Sequence, residues 1–164
     1  MVARQEHKKA YCCIIEIHIK KGIVMNKIAV VYWSGTGNTA LMAQSVCEGA
    51  KAKGAAASLF EVSFFTAADA ASYDAIAFGC PSMGCEQLED SEFEPVFEKC
   101  KPVLKNKKVA LFGSYGWGDG EWMRNWEDEC KSFGITLAAD SVICNDAPDA
   151  DAVKECEALG AALI

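Results

Sequence analysis

Ser34-Gly35-Thr36-Gly37-Asn38-Thr39 packs three hydroxyls, one amide and two glycines into six residues that follow an apolar run. Glycines let the backbone turn its N–H groups inward, and a helix starting at Asn38 would add the positive end of its dipole. A terminal phosphate dianion needs donors on several sides, and this hydroxyl-dense loop supplies them. No Gly-Lys-Ser/Thr follows, so it is not a nucleoside-triphosphate loop. Gly35, Gly37 and Ala40 also satisfy G-x-G-x-x-[G/A], with Glu61 about twenty residues on, as a dinucleotide fingerprint requires. That pattern alone is weak, because a pyrophosphate asks mainly for backbone donors. A second constellation is Gly116-Trp117-Gly118, where glycines on both sides expose an indole and leave it no evident core role. Residues 25–164 contain no histidine, so no Ser-His or Cys-His pairing points to nucleophilic or acid–base catalysis.

Strands and helices must alternate to position these segments. Lys27–Trp33 is a continuous apolar run of buried-strand type, and Asn38–Lys53 carries Leu41, Met42, Val46 and Ala50 at helical spacing, with Gly54 as its stop. Ala56–Val62 reads as a weaker strand, Thr66–Ala71 as a short helical turn, and Asp74–Cys80 as a second buried strand. Ser91–Val103 reads as a helix with Ser91 as N-cap and Pro95 in its first turn. Lys108–Ser114 is a strand, Gly120–Phe133 a helix, Ile135–Cys144 a strand and Asp149–Leu163 a last helix. Trp122 and Trp126, four apart, read as packing residues, as does Trp33 at its strand end. Five strands alternating with helices predict an α/β doubly wound parallel sheet in the order 2-1-3-4-5, with helices on both faces. Ligands of such sheets sit beyond the carboxyl ends of the strands, which points to the loops after strands one, three and four.

Composition narrows the function classes. The formal charge is −7 over 164 residues, but residues 1–24 contribute about +3 and leave roughly −10 on the remainder. So acidic a body repels nucleic acid and anionic membrane and attracts basic protein surfaces. Nine cysteines, odd in number and without metal-ligand spacing, fit a reducing cytoplasm and small buried hydrophobes better than a disulfide framework. The apolar stretch within residues 1–24 is broken by Glu16, His18 and Lys20 and lacks a small-residue cleavage site, so it is neither a signal peptide nor a membrane span. This segment is expected to be an extension outside a domain of residues 25–164. Met25 is the expected authentic start, with the Lys20-Lys21-Gly22 codons reading as a ribosome-binding site; intact mass of the natively expressed protein tests this.

Four motifs in order, the S-G-T-G-N-T loop, G-C-P-S-M-G-C-E (Gly79 to Glu86), L-E-D-S-E-F-E-P (Leu88 to Pro95) and V-A-L-F-G-S-Y-G-W-G-D-G (Val109 to Gly120), resemble flavodoxins. The likeness is to the short-chain type of clostridia and related anaerobes, and it runs from Met25 to the C-terminus. It implies a bound FMN contacted by Ser34, Gly35, Thr36, Gly37, Asn38 and Thr39 at the phosphate. It further implies contacts from Ser82, Met83, Gly84, Cys85, Glu86, Ser114, Tyr115, Gly116, Trp117, Gly118, Asp119 and Asn145. In that scheme Trp117 stacks on one face of the ring, Met83 lies against the other, and the Glu86 carboxylate meets flavin N3–H. Asn145 and Asp146 fall where the family contacts the ribityl side. Asp119 and Glu121 also read as a solvated acidic loop, and Pro81 departs from relatives with serine there.

The resemblance also implies a redox-sensitive turn, in which the Gly84-Cys85 peptide flips to offer its carbonyl to the protonated N5 of reduced flavin. With Met83 and Glu86 as its ends, the flipped type II′ turn needs positive φ at Gly84. The unflipped type II turn needs it at Cys85, at a cost of about 1 kcal/mol for a non-glycine residue. Cys85 is therefore expected to favour the flipped turn and the neutral semiquinone. The expected function is that of a low-potential one-electron carrier: a monomer without metal that docks on redox partner proteins with basic surfaces. The rival is a small FMN-dependent NAD(P)H reductase acting on quinones or nitro compounds. A receiver domain is excluded, because Gly79-Cys80-Pro81 stands where its strand-end aspartate belongs.

Overall fold

In β1 (Lys27–Tyr32), Ala29 and Val31 point to one side of the sheet and Ile28 and Val30 to the other, and all four are fully buried. A strand apolar on both sides needs helices over both faces, and the computed structural model, which describes residues 25–164, supplies them. The expectation for residues 1–24 lies outside the described residues. The remaining elements are α1 (Asn38–Ala52), β2 (Ala56–Glu61), a 3-10 turn (Val62–Phe64), α2 (Ala67–Ser72), β3 (Ala75–Gly79) and α3 (Phe93–Leu104). They are followed by β4 (Lys108–Tyr115), α4 (Glu121–Phe133), β5 (Thr136–Leu137), β6 (Val142–Asn145) and α5 (Ala150–Ala162).

All strand pairs are parallel, in the order β2-β1-β3-β4-β5, with β6 also paired to β4. This is the doubly wound order read from the alternation of elements. Over one face lie α1 and α5, whose Met42, Val46, Cys156 and Leu159 meet Ile28, Val30 and Phe112. Over the other lie α2, α3 and α4, where Phe93, Phe97, Trp122 and Trp126 close on Val31, Phe78 and Leu111. Trp126 stands edge-on to both Phe93 and Phe97, with ring centroids 5.4 Å apart in each pair. Each such ring contributes about 2 kcal/mol by burial alone.

Two expectations are corrected. The continuous strand Ile135–Cys144 is interrupted: Leu137 pairs with Val109 and Val142 with Phe112, so residues 138–141 stand opposite only Ala110 and Leu111. The surplus chain bulges out at the sheet edge, where Ala139 and Asp140 offer little apolar surface to bury. The N-cap of α3 is not Ser91. Glu92 occupies that position, and the capping group is the carboxylate of Glu89, which accepts from the N–H of Glu92 (2.9 Å) and Phe93 (2.8 Å). Its other oxygen accepts from the Ser91 N–H at 3.0 Å and from the Ser91 hydroxyl. A longer side chain set further back reaches the same orphan donors.

The seven described cysteines are all free, and all but Cys85 are buried. Burial pushes the thiols of Cys100 and Cys144 up to about 11 and those of Cys130 and Cys156 up to about 12, as inert core residues require. Among the described residues no helix is long and apolar enough to cross a membrane.

Candidate functional site

The loops after β1, β3 and β4 meet at the carboxyl edge of the sheet around a cavity of about 230 Å³. Ser34, Gly35, Thr36, Asn38 and Thr39 line it from one side, Ser82 and Met83 from a second, and Ser114, Tyr115 and Gly116 from a third. Gly37, with φ of 96°, forms the bend into α1 and faces a neighbouring cavity instead.

The loop after β1 is held in shape from within. Ser34 Oγ accepts from the N–H of Gly37 (3.0 Å) and of Ala40 (3.3 Å), closing the loop on itself. The N–H groups of Gly35, Thr36, Asn38 and Thr39 meet no acceptor among the described residues. Four orphan donors at the start of a 15-residue helix make a strong anion seat. Behind them the buried Thr39 and Ser114 hydroxyls lie 3.0 Å apart, and Thr39 Oγ1 also accepts from the Ser114 N–H at 3.4 Å. Only one of the two hydroxyl protons is used between them, so the other remains for an anion. A cradle made of donors, with no carboxylate on its α1 side, fits the phosphate of FMN.

The loops after β3 and β4 are joined differently. Met83 and Gln87 exchange both backbone hydrogen bonds (2.8 and 2.9 Å), so the turn closes one residue later than expected, around Gly84-Cys85-Glu86. Positive φ falls at Gly84 (50°) and Glu86 (52°) and not at Cys85, so Cys85 avoids the left-handed region. The strained Glu86 has a specific partner: its Oε1 accepts from the N–H of Gly120 (3.0 Å) and Glu121 (2.9 Å), the first donors of α4. A Cβ on Gly118 would lie 2.5 Å from the Glu86 carboxyl carbon, so the Trp117 loop rests directly on this carboxylate. Trp117 itself is 61% exposed, as its glycine neighbours implied.

Gly84, Cys85, Glu86, Trp117, Gly118 and Asp119 lie outside the 230 Å³ cavity, on the loops that flank it. Asp119 turns away: its carboxylate pairs with Arg124 at 2.6 Å, and this contact raises the guanidinium further above its ordinary value. Asn145 braces the cavity wall by donating to the Tyr115 carbonyl at 3.2 Å, while its neighbour Asp146, with φ of 57°, lines the cavity. The sequence reads Trp33 as a packing residue and gives Glu89 no role, whereas Trp33 lines the cavity and Glu89 caps α3. A tryptophan adjoining the phosphate loop was one available signal; a carboxylate that caps from outside the helix leaves none.

The flavodoxin family model matches residues 30–160. A flavodoxin of Clostridium beijerinckii is 41% identical over 131 residues, which are 80% of this chain and 94% of the relative. A flavodoxin of Megasphaera elsdenii is 46% identical over 135 residues, 82% of this chain and 96% of its own. The solution structure of the two-electron-reduced Megasphaera protein superposes with a TM-score of 0.77, covering 83% of this chain and 97% of that one. A donor-lined cavity at the carboxyl edge of this sheet, together with these relatives, leads to one conclusion: the chain belongs to the flavodoxin family and is an FMN-carrying electron-transfer protein, not an enzyme.

Proposed function

We propose that residues Ser34 to Thr39, with Ser82 and the Thr39–Ser114 hydroxyl pair, hold the FMN phosphate. Met83 and Trp117 flank the ring, and Glu86 meets its polar edge. The observation that carries this reading is the group of four N–H donors without acceptors among the described residues, at a cavity that Met83, Tyr115 and Gly116 also line. Bound FMN supplies one-electron chemistry. The chain's residues supply orientation, a partly dry site and a negative surround.

That surround bears on the potential. Glu86 stands at the ring loops within an acidic body, so adding a second electron places like charges together in a poorly solvated site. This supports a low-potential carrier. The Gly84-Cys85-Glu86 turn is the element expected to respond to reduction, since its glycine can reorient a peptide at small cost. The same acidic exterior suits brief docking on partner proteins with basic surfaces, by a monomer working in the cytoplasm.

Anaerobic titration with dithionite, followed in the visible spectrum, tests the reading. A yellow protein that turns blue after one electron and pale only at low potential supports it. Direct two-electron bleaching with steady NAD(P)H oxidation would instead favour a small reductase. A colourless protein that refuses added FMN would overturn the assignment of the site.

A further inference from the structure

Trp33 connects β1 to the phosphate loop, and its indole turns back beneath that loop. A Cβ on Gly35 would come within 3.0 Å of Trp33 Cη2 and 3.2 Å of Cζ3, so the outer ring of the indole occupies the space a side chain would need. The indole is anchored at its other edge, where Nε1–H donates to Glu92 Oε2 at 2.9 Å. Glu92 is itself anchored, its N–H donating to the buried Glu89 carboxylate at 2.9 Å. A chain of interactions thus runs from the N-terminus of α3 through Glu92 and the indole to Gly35.

The indole has a void on its far side. Trp33 lines both the 230 Å³ cradle and a second cavity of about 360 Å³, which Glu61, Val62 and Ser63 also border. Without the indole, the two spaces would merge and Gly35 would have nothing beneath it. A smaller ring lacking the N–H would neither reach the loop nor hold to Glu92. A gap of even 1 Å or so beneath Gly35 would forfeit much of the attraction that seats the loop, because dispersion falls off steeply with distance.

We propose that Trp33 is a positioning residue for the phosphate cradle: Glu92 fixes the indole, and the indole holds Gly35 so that the loop N–H groups converge on the phosphate. This rests on the reading of Ser34 to Thr39 as the phosphate seat. The contribution belongs to the phosphate and not to the ring, so riboflavin, which lacks the phosphate, separates the two.

The test is flavin-fluorescence quenching with FMN and with riboflavin on the full chain freed of cofactor, for wild type, W33F, E92A and E92Q. W33F should weaken FMN roughly tenfold and riboflavin by no more than about twofold, as loss of a hydrogen bond to a charged group implies. E92A and E92Q both remove the charge, but a glutamine oxygen still accepts from the indole, so E92Q should bind FMN roughly fivefold more tightly than E92A. Equal losses for both flavins in W33F, or equal FMN affinities in E92A and E92Q, would overturn the proposal. Riboflavin binding and the urea midpoint report folding, and should W33F not fold, the Glu92 pair decides. A wild-type protein that binds riboflavin as tightly as FMN would remove the phosphate seat and this inference together.

Discussion

Around Ser34 to Thr39 the donors are backbone N–H groups, set by the start of α1 and backed by the buried Thr39–Ser114 pair. Around Met83 to Gln87 and Tyr115 to Gly120 the prominent groups are side chains. Trp117 stands in solvent, and Glu86 sits in a left-handed conformation held by two N–H groups of another element. On the proposed assignment, the difference follows from the two ends of the ligand. A phosphate keeps its dianionic character through the redox cycle, so a preformed cradle costs nothing in function. A flavin ring changes its protonation and charge, so its surroundings must tolerate more than one arrangement, and strain concentrates there.

The sharpest way to break the comparison is Ser34→Ala. It removes the acceptor that closes the loop and one phosphate donor, so FMN affinity should fall roughly a hundredfold while riboflavin affinity holds. Equilibrium titration with both flavins reads this directly. Trp117→Ala is its counterpart. Loss of a stacking surface should weaken both flavins alike, by roughly 30-fold, since the ring is common to them. Were Trp117→Ala to spare riboflavin, the indole would not be a ring contact.

The third prediction concerns Glu89, the carboxylate that caps α3. Burial pushes the Glu89 carboxyl up, but hydrogen bonds from the Ser91 hydroxyl and from the N–H groups of Phe93, Glu92 and Ser91 prevail and hold it below its ordinary value. A depressed pKa means stability present above the unfolded value and lost as pH falls through the folded one. Urea midpoints of the cofactor-free protein should therefore drop below the ordinary carboxylate range. Glu89→Gln should cost about 1 kcal/mol at neutral pH and flatten that acid dependence. The smallest effect is expected at the turn. Cys85→Gly removes the bias against positive φ at that position, and should lower the potential of the first electron by roughly 20–60 mV. Spectroelectrochemistry checks this, and an unchanged or raised potential would dismiss the turn argument.

From the sequence alone came the element order, most boundaries to within one or two residues, the donor-rich loop after β1 and the exposed Trp117. These depend on near neighbours: an apolar period, a glycine at a bend, an indole between two glycines. The tertiary structure alone decided four things. It broke the last strand at residues 138–141, and it moved the cap of α3 from Ser91 to Glu89. It turned Glu86 onto α4, 34 residues away, and hung Trp33 on Glu92, 59 residues away. The strand break depends on register against β4, and the cap on how far the Glu89 side chain reaches. The Glu86 and Trp33 contacts depend on which backbone N–H or indole edge faces a carboxylate after helices and strands have docked. No period in the chain records that, because the partners become neighbours only when the sheet has formed.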